Sequence, residues 1–133
     1  MRLTNRSEYA LLALLHLARH GTDTFVSAES IATAQRLPLA FLEQILLALK
    51  RAHFVRSAKG QHGGFRLARP AGQVSLAEVI RLFDGALAPT HSASEYFYEP
   101  TPVEREARLL SVFRDIRDYT ARKLEHTTLA DVA

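Results

Sequence analysis

The sequence predicts a mainly α-helical chain with one small β-hairpin: a winged helix-turn-helix followed by a long C-terminal helix. Three observations carry that prediction. Residues 28–51 read as two helices joined by a short turn at Arg36 and Leu37. Residues 53–70 read as two short strands around a glycine-rich turn. An apolar stripe at helical spacing then runs through residues 103–124. At 133 residues, the length suits one domain or a small domain with an appended helix.

Each element has its own local justification. The first helix is expected from Asn5 to His20, with Asn5 and Glu8 at capping-box spacing. Tyr9, Leu12, Ala13 and Leu17 recur on one face, and Gly21 supplies the stop. The segment GTDTFV is a short loop. Ser27 caps the second helix, Ala28 to Gln35, whose first turn holds Glu29 against the positive end of the helix dipole. Pro38 takes the first position of the third helix. There Phe41, Leu42, Ile45, Leu46 and Leu49 form the apolar face, and Lys50 and Arg51 suit the C-terminal end. HFVRSA and FRLARP are the strands, and KGQHGG is a turn whose glycines admit positive φ and close approach to a partner. Ser75 and Glu78 make a capping box for a helix from Leu76 to Phe83, ended by Gly85. Residues 85–101 have no clear periodicity. Thr101, Pro102 and Glu104 open the long helix, expected to run about 24 residues to Glu125 and about 36 Å. Its stripe is Leu109, Val112, Phe113, Ile116, Tyr119 and Leu124, extended by Val103, Ala107 and Leu110, and is expected to pack on a second copy. TTLADVA is one more short capped turn. The expected division is residues 1–85 as the winged helix, 86–101 as linker or effector loop, and 102–133 as dimerisation helix and tail.

Composition narrows the chemistry. With 47% hydrophobic and 23% charged residues the chain is ordinary globular material. It has no cysteine, which excludes disulfides, thiolate zinc sites and cysteine-ligated iron–sulfur clusters. Residues 1–70 carry ten Lys/Arg and four Asp/Glu, and the remainder seven and ten. A basic first half points to a polyanion, although chance clustering of solvated side chains gives the same count. The N-terminus lacks a signal-peptide layout and no apolar run approaches the ~20 residues of a membrane span, so a cytoplasmic location is expected. An enzyme is not expected. Ser27, Ser57 and Ser75 are explained by helix starts and the hairpin, and Arg114–Asp115 and Arg117–Asp118 read as surface ion pairing. His16 and His20 have a metal-binding spacing, but His20 also suits a helix C-terminus and His16 is expected to be exposed, so no metal is assigned.

Three stretches now carry a resemblance: MRLTNRSEYALLALLHLA, LPLAFLEQILLALKRAHFVRSAKGQHGGFRLARP and VSLAEVIRLFDG. In order, Met-Arg-Leu-Thr, Leu42-Glu43-Gln44 and Lys59-Gly60-x-x-Gly63-Gly64-Phe65 resemble the IscR/NsrR-type regulators, the Rrf-two family of bacterial winged-helix repressors. The resemblance implies a homodimer held by the long helix, with two helix-turn-helices on a palindromic operator in double-stranded DNA. It puts Pro38, Leu39, Ala40, Glu43 and Gln44 in the major groove, and Lys59, Gly60, His62 and Gly63 in the wing. Gln44 can pair with adenine, and Glu43 can accept from cytosine. Arg2, Arg6, Lys50, Arg51 and Arg56 are phosphate-contact candidates. Ala40 stands where relatives often have Ser, and Lys59 where they often have Arg. Many relatives also hold an iron–sulfur cluster on three cysteines in the stretch matching residues 85–101, where this sequence has none. His91 lies near the place of the first, and Glu8 where some relatives supply a further ligand. His91, Tyr96, Phe97 and Tyr98 therefore mark a candidate effector region with no cluster. A small ligand, a protein partner or no signal at all stay open for it. The rival to a sequence-specific regulator is a winged-helix interaction module without base preference.

Overall fold

The computed structural model describes residues 1–20 and 23–133, so Gly21, the expected stop of the first helix, lies outside the described residues. Helix α1 spans Asn5–His20. Its cap is Thr4, one residue earlier than the sequence spacing implies. The Thr4 hydroxyl accepts from the Ser7 N–H at 3.4 Å, and the Thr4 N–H and hydroxyl both donate to the Asp84 carboxylate at 3.2 and 2.5 Å. The acid that completes the cap thus comes from a distant helix end rather than from Glu8. The buried face of α1 is Ala10, Ala13, Leu14 and Leu17, while Tyr9 and Leu12 are half-buried beside it.

Helix α2 (Ala28–Gln35) is capped by the Ser27 hydroxyl, which accepts from the Ser30 N–H. It ends at Arg36 in the left-handed region (φ 57°, ψ 49°), where the chain reverses into α3 (Leu39–Arg51). Pro38 is the residue before the helix, not its first turn. Its carbonyl accepts from the Leu42 N–H at 2.9 Å. Leu42, Ile45, Leu46 and Leu49 are fully buried, which anchors one face of α3 on α1 and α2. The Gln35 side-chain amide, donating to the Leu12 carbonyl at 2.9 Å, ties α2 to α1.

Strands β1 (Val55–Ala58) and β2 (Gly64–Leu67) pair antiparallel with Val55 opposite Leu67 and Ser57 opposite Phe65. Both are shorter than the apolar runs implied. Val26 joins the hairpin through a single bridge to Phe65, its N–H donating at 2.8 Å and its carbonyl accepting at 2.7 Å. The expected loop before α2 therefore extends the hairpin by a one-residue third strand. Helix α4 (Leu76–Asp84) opens with the expected Ser75–Glu78 capping box, runs one residue past the anticipated Phe83 and closes at Gly85 as expected.

The C-terminal half departs most from expectation. Helix α5 covers 19 residues, Ala107–Glu125, about 28 Å. Residues Pro102–Arg105 form a separate 3₁₀ turn, and Glu106 is extended (φ −113°, ψ 94°). The reason lies in Thr101, whose hydroxyl bonds Ser92 Oγ at 2.6 Å and Thr90 Oγ1 at 3.2 Å instead of capping a helix. Segment 85–101 packs through its first half, with Leu87, Ala88 and Ala93 buried and a 3₁₀ turn at His91–Ala93, while residues 95–100 are exposed. Beyond α5, Ser75 pairs with Thr128, the Leu76 N–H donates to the Thr127 carbonyl, and the Leu129 N–H donates to the Val74 carbonyl. Leu129, on α6 (Leu129–Val132), is fully buried in the same core as α1 and α3. No described helix is long and apolar enough to cross a membrane.

Candidate nucleic-acid interface

Burying one face of α3 fixes what the other presents. Ala40, Glu43, Gln44, Leu47, Lys50 and Arg51 are all exposed, and their spacing places them along one side of the helix. Leu39, also expected at this face, is half-buried against the core, and Phe41 packs edge-on against Tyr9 with ring centroids 5.6 Å apart. The two basic residues sit in the last turn, where the carbonyl ends of the helix favour positive charge.

The hairpin stands beside this helix. Glu43, Leu47 and Lys50 of α3 share a groove of about 360 Å³ with Ala28, Ser57 and Phe65. Its tip, Lys59 to Gly63, closes through the Gly63 N–H to the Gly60 carbonyl at 3.0 Å, and Lys59, Gly60, Gln61 and His62 are exposed. Glycine is required here for stated reasons. A Cβ on Gly63 would lie 2.2 Å from the Ala58 carbonyl oxygen, and one on Gly64 (φ +136°) 2.3 Å from that of Val26. His62 and Gly63 face the start of α2 across a second cleft of about 610 Å³ that includes Ser27 and Ser30.

Most expected cations are accounted for. Lys50, Arg51, Arg56 and Lys59 are exposed on α3 and the hairpin. Arg2 is exposed, whereas the Arg6 guanidinium lies over the Phe83 ring, 5.3 Å from its centroid, where α1 meets α4. Sequence reading left out Leu47, although its position between Gln44 and Lys50 put it on the polar side. Arg66 and Arg69, which the sequence groups with Arg56 and Lys59 as the positive charge of the hairpin without naming them as contacts, join Arg56 along a cleft of about 300 Å³.

The candidate dimer row divides in two. Leu109, Val112, Ile116 and Tyr119 are 45, 53, 46 and 64% exposed and lie at three- and four-residue steps. Phe113 and Leu124 do not share that exposure. Phe113 packs with Ala88, Ala93 and Leu110, and Leu124 with Ala77, Ile80 and Leu87.

In the candidate effector region, His91 Nδ1 lies 3.2 Å from the Phe97 carbonyl, and the Phe97 N–H donates to Ser94 Oγ at 2.9 Å. Tyr96 is exposed beneath the Arg81 guanidinium, 5.0 Å from its ring centroid, and the Tyr98 hydroxyl donates to Glu104. That hydrogen bond, then desolvation and the Glu104 charge, push the Tyr98 pKa up. The Arg117 guanidinium donates to the Ala93 carbonyl at 2.9 Å. The cavity behind these residues is about 10 Å³, room for about one water.

His16 is half-buried rather than exposed, with its ring centroid 4.7 Å from that of His20. Desolvation, then the charges of His20 and Arg19, lower the His16 pKa. Two donors do not complete a tetrahedral metal site. Among the described residues no group of three or more His, Cys, Asp or Glu side chains is placed to hold a metal.

The sequence pattern of the Rrf2 family, described as an iron-dependent transcriptional regulator, matches residues 3–133. The HTH-type transcriptional regulator Rv1287 of Mycobacterium tuberculosis, so named provisionally, is 39% identical over 134 residues, spanning 100% of this chain and 81% of its own. CymR of Bacillus subtilis, an HTH-type transcriptional regulator, is 29% identical over 133 residues, spanning 100% of this chain and 90% of its own. The solved structure of that CymR, described as a global cysteine regulator, superposes with a TM-score of 0.79 at 28% identity, covering 100% of this chain and 96% of CymR. IscR of T. potens gives 0.76 at 27%, covering 99% and 85%. Iron held by cysteine does not fit the residues present, because the sequence contains no cysteine.

Proposed function

The chain belongs to the Rrf2 family of transcriptional regulators, and from that premise we propose that it is a sequence-specific repressor binding a palindromic operator as a homodimer, without a cysteine-ligated cluster. The observation that carries this reading is the exposed side of α3, which offers Glu43 and Gln44 flanked by Lys50 and Arg51 next to a basic, glycine-tipped hairpin. Glu43 and Gln44 supply the acceptor and the donor–acceptor pair that distinguish cytosine and adenine edges in the major groove. Lys59 at the hairpin tip enters the neighbouring minor groove as a charge, and Lys50, Arg51 and Arg56 hold phosphates. The side chain of Ala40 offers the DNA a methyl group but no hydrogen bond.

The second copy supplies the partner for Leu109, Val112, Ile116 and Tyr119, whose three- and four-residue steps are those of a helix–helix seam. Pairing through α5 sets two α3 helices on one duplex, and a dimer seated on a promoter blocks polymerase. Segment 85–101 serves as the region through which a ligand or protein partner acts, opening first if that ligand is larger than a water.

In vitro selection of random duplex DNA by purified, metal-free protein at near-physiological salt tests this reading. The expected result is an enriched palindrome with half-sites about one helical turn apart, or a multiple of it. Gln44→Ala should relax preference at one position of each half-site, and Lys59→Ala should weaken binding to all sequences alike. Failure to enrich any sequence would point instead to an interaction module.

A further inference from the structure

The hairpin carries a charge arrangement that folding alone does not favour. Arg56 and Arg66 are direct cross-strand partners and so project from the same face, with two positive charges opposed. Like charges in that position cost stability. Only one acid relieves the group: Glu78 pairs with Arg69 at 3.2 Å, while Arg56 and Arg66 have no acidic partner among the described residues. Two of the three guanidiniums are nonetheless held in place by aromatic faces, Arg66 over Phe25 at 4.9 Å and Arg69 over Phe54 at 4.8 Å. All three line the cleft of about 300 Å³ whose floor is Leu67, Ala68 and Pro70.

We propose that this cleft is a phosphate-binding site, and that Arg56 and Arg66 together take a backbone phosphodiester at the rim of the minor groove entered by the hairpin tip. The inference rests on the DNA-binding reading above and adds a site to it. Its distance scale comes from the register. The Arg56–Arg66 pair lies two residue pairs behind Ala58–Gly64, the last pair before the Lys59–Gly63 tip, about 7 Å at ~3.3 Å per residue. The minor groove of B-form DNA is about 7.5 Å deep. With the tip on the groove floor, this pair therefore stands at or above the rim, where its long side chains reach the phosphates of the groove wall. Arg66, pre-set on Phe25, pays little ordering cost on contact, and a diester oxygen between the two guanidiniums relieves their repulsion. Arg69, already paired with Glu78, shapes the end of the cleft.

The test compares the parent with an Arg56→Gln/Arg66→Gln double variant on the selected operator, over a range of salt concentrations. The variant is expected to lose about one unit of slope in log K against log salt, with the same selected sequence and an unchanged or higher melting temperature. Methylphosphonates that neutralise the minor-groove rim phosphates should weaken the parent and leave the variant unaffected. A variant that keeps the parent's slope and affinity overturns the site while leaving the DNA-binding function standing. A parent that selects no sequence overturns both. Inorganic phosphate that stabilises the parent but not the variant, with the two salt slopes equal, would reassign the cleft to a free anion and refute the DNA contact.

Discussion

Replacing Gly64 with alanine tests whether the hairpin is held by contact with Val26 or only by its turn. Gly64 has φ +136°, and an added Cβ would sit 2.3 Å from the Val26 carbonyl oxygen and 2.5 Å from its carbon. Ordinary contact is near ~3.5 Å, so Val26 must retreat by about 1 Å. That movement breaks both hydrogen bonds of the Val26–Phe65 bridge, 2.8 and 2.7 Å long, at about 1 kcal/mol each. Backbone strain adds about 1–2 kcal/mol, for a total near 3–4 kcal/mol. Gly60→Ala is the control. Gly60 has φ +100° but nothing within 4 Å of an added Cβ, so it carries the strain alone. A stiffer unfolded chain offsets part of that strain, leaving about 1 kcal/mol. Equilibrium urea unfolding followed by circular dichroism reads both variants against the parent. If Gly64→Ala is not at least about 2 kcal/mol worse than Gly60→Ala, the bridge to Val26 does not hold the hairpin and the reasoning is refuted.

Three further outcomes are expected. Ile116→Glu places an unpaired charge in the proposed α5 seam, costing about 3 kcal/mol and more than 100-fold in self-association, which sedimentation velocity will read as a shift to monomer; a dimer of parental affinity excludes this face. Leu129→Ala empties a fully buried position and should lower unfolding free energy by about 3 kcal/mol, whereas a loss under about 1 kcal/mol would mean the C-terminal turn is not part of the core. Burial opposes the Glu78 charge, but hydrogen bonds from the Ser75 backbone and the Arg69 guanidinium outweigh it and hold the pKa below its ordinary 4.5. A depressed carboxylate stabilises the fold above the unfolded pKa, and that contribution disappears as pH falls through the lower folded value. Glu78→Gln should therefore flatten the acid limb of stability below about pH 4.5, and an acid limb identical to the parent's contradicts the pairing.

What could be read from the sequence was what depends on near neighbours. Ser27 and the Ser75–Glu78 pair find their partners within three residues and stand where their spacing puts them, and the short capped turn expected in TTLADVA is closed by Thr128 and Asp131. The buried face of α3 followed from its periodicity, whereas Glu43 and Gln44, exposed in the structure, were singled out by the family resemblance. The cap of α1 did not, because its acid, Asp84, is 80 residues away. Thr101 had every local mark of a helix cap and was diverted by Ser92 and Thr90, which only folding brings to it. Helix α5 carries apolar residues around more than one side, and periodicity could not separate those covered by segment 85–101 from those left outside. A single-residue pairing such as Val26 with Phe65 leaves no periodic trace at all.

The return of residues 127–129 to Val74 and Leu76 bears on how the chain acquires its structure during translation. The helix-turn-helix and hairpin leave the ribosome before residues 127–129, yet the position filled by Leu129 stays open until those residues have been made. A nascent chain halted near residue 100 would hold α3 in an unfinished core, with apolar surface available to chaperones and proteases. Closure of the core around α1 and α3 thereby waits on residues 127–129 and is not completed by the helix-turn-helix and hairpin alone.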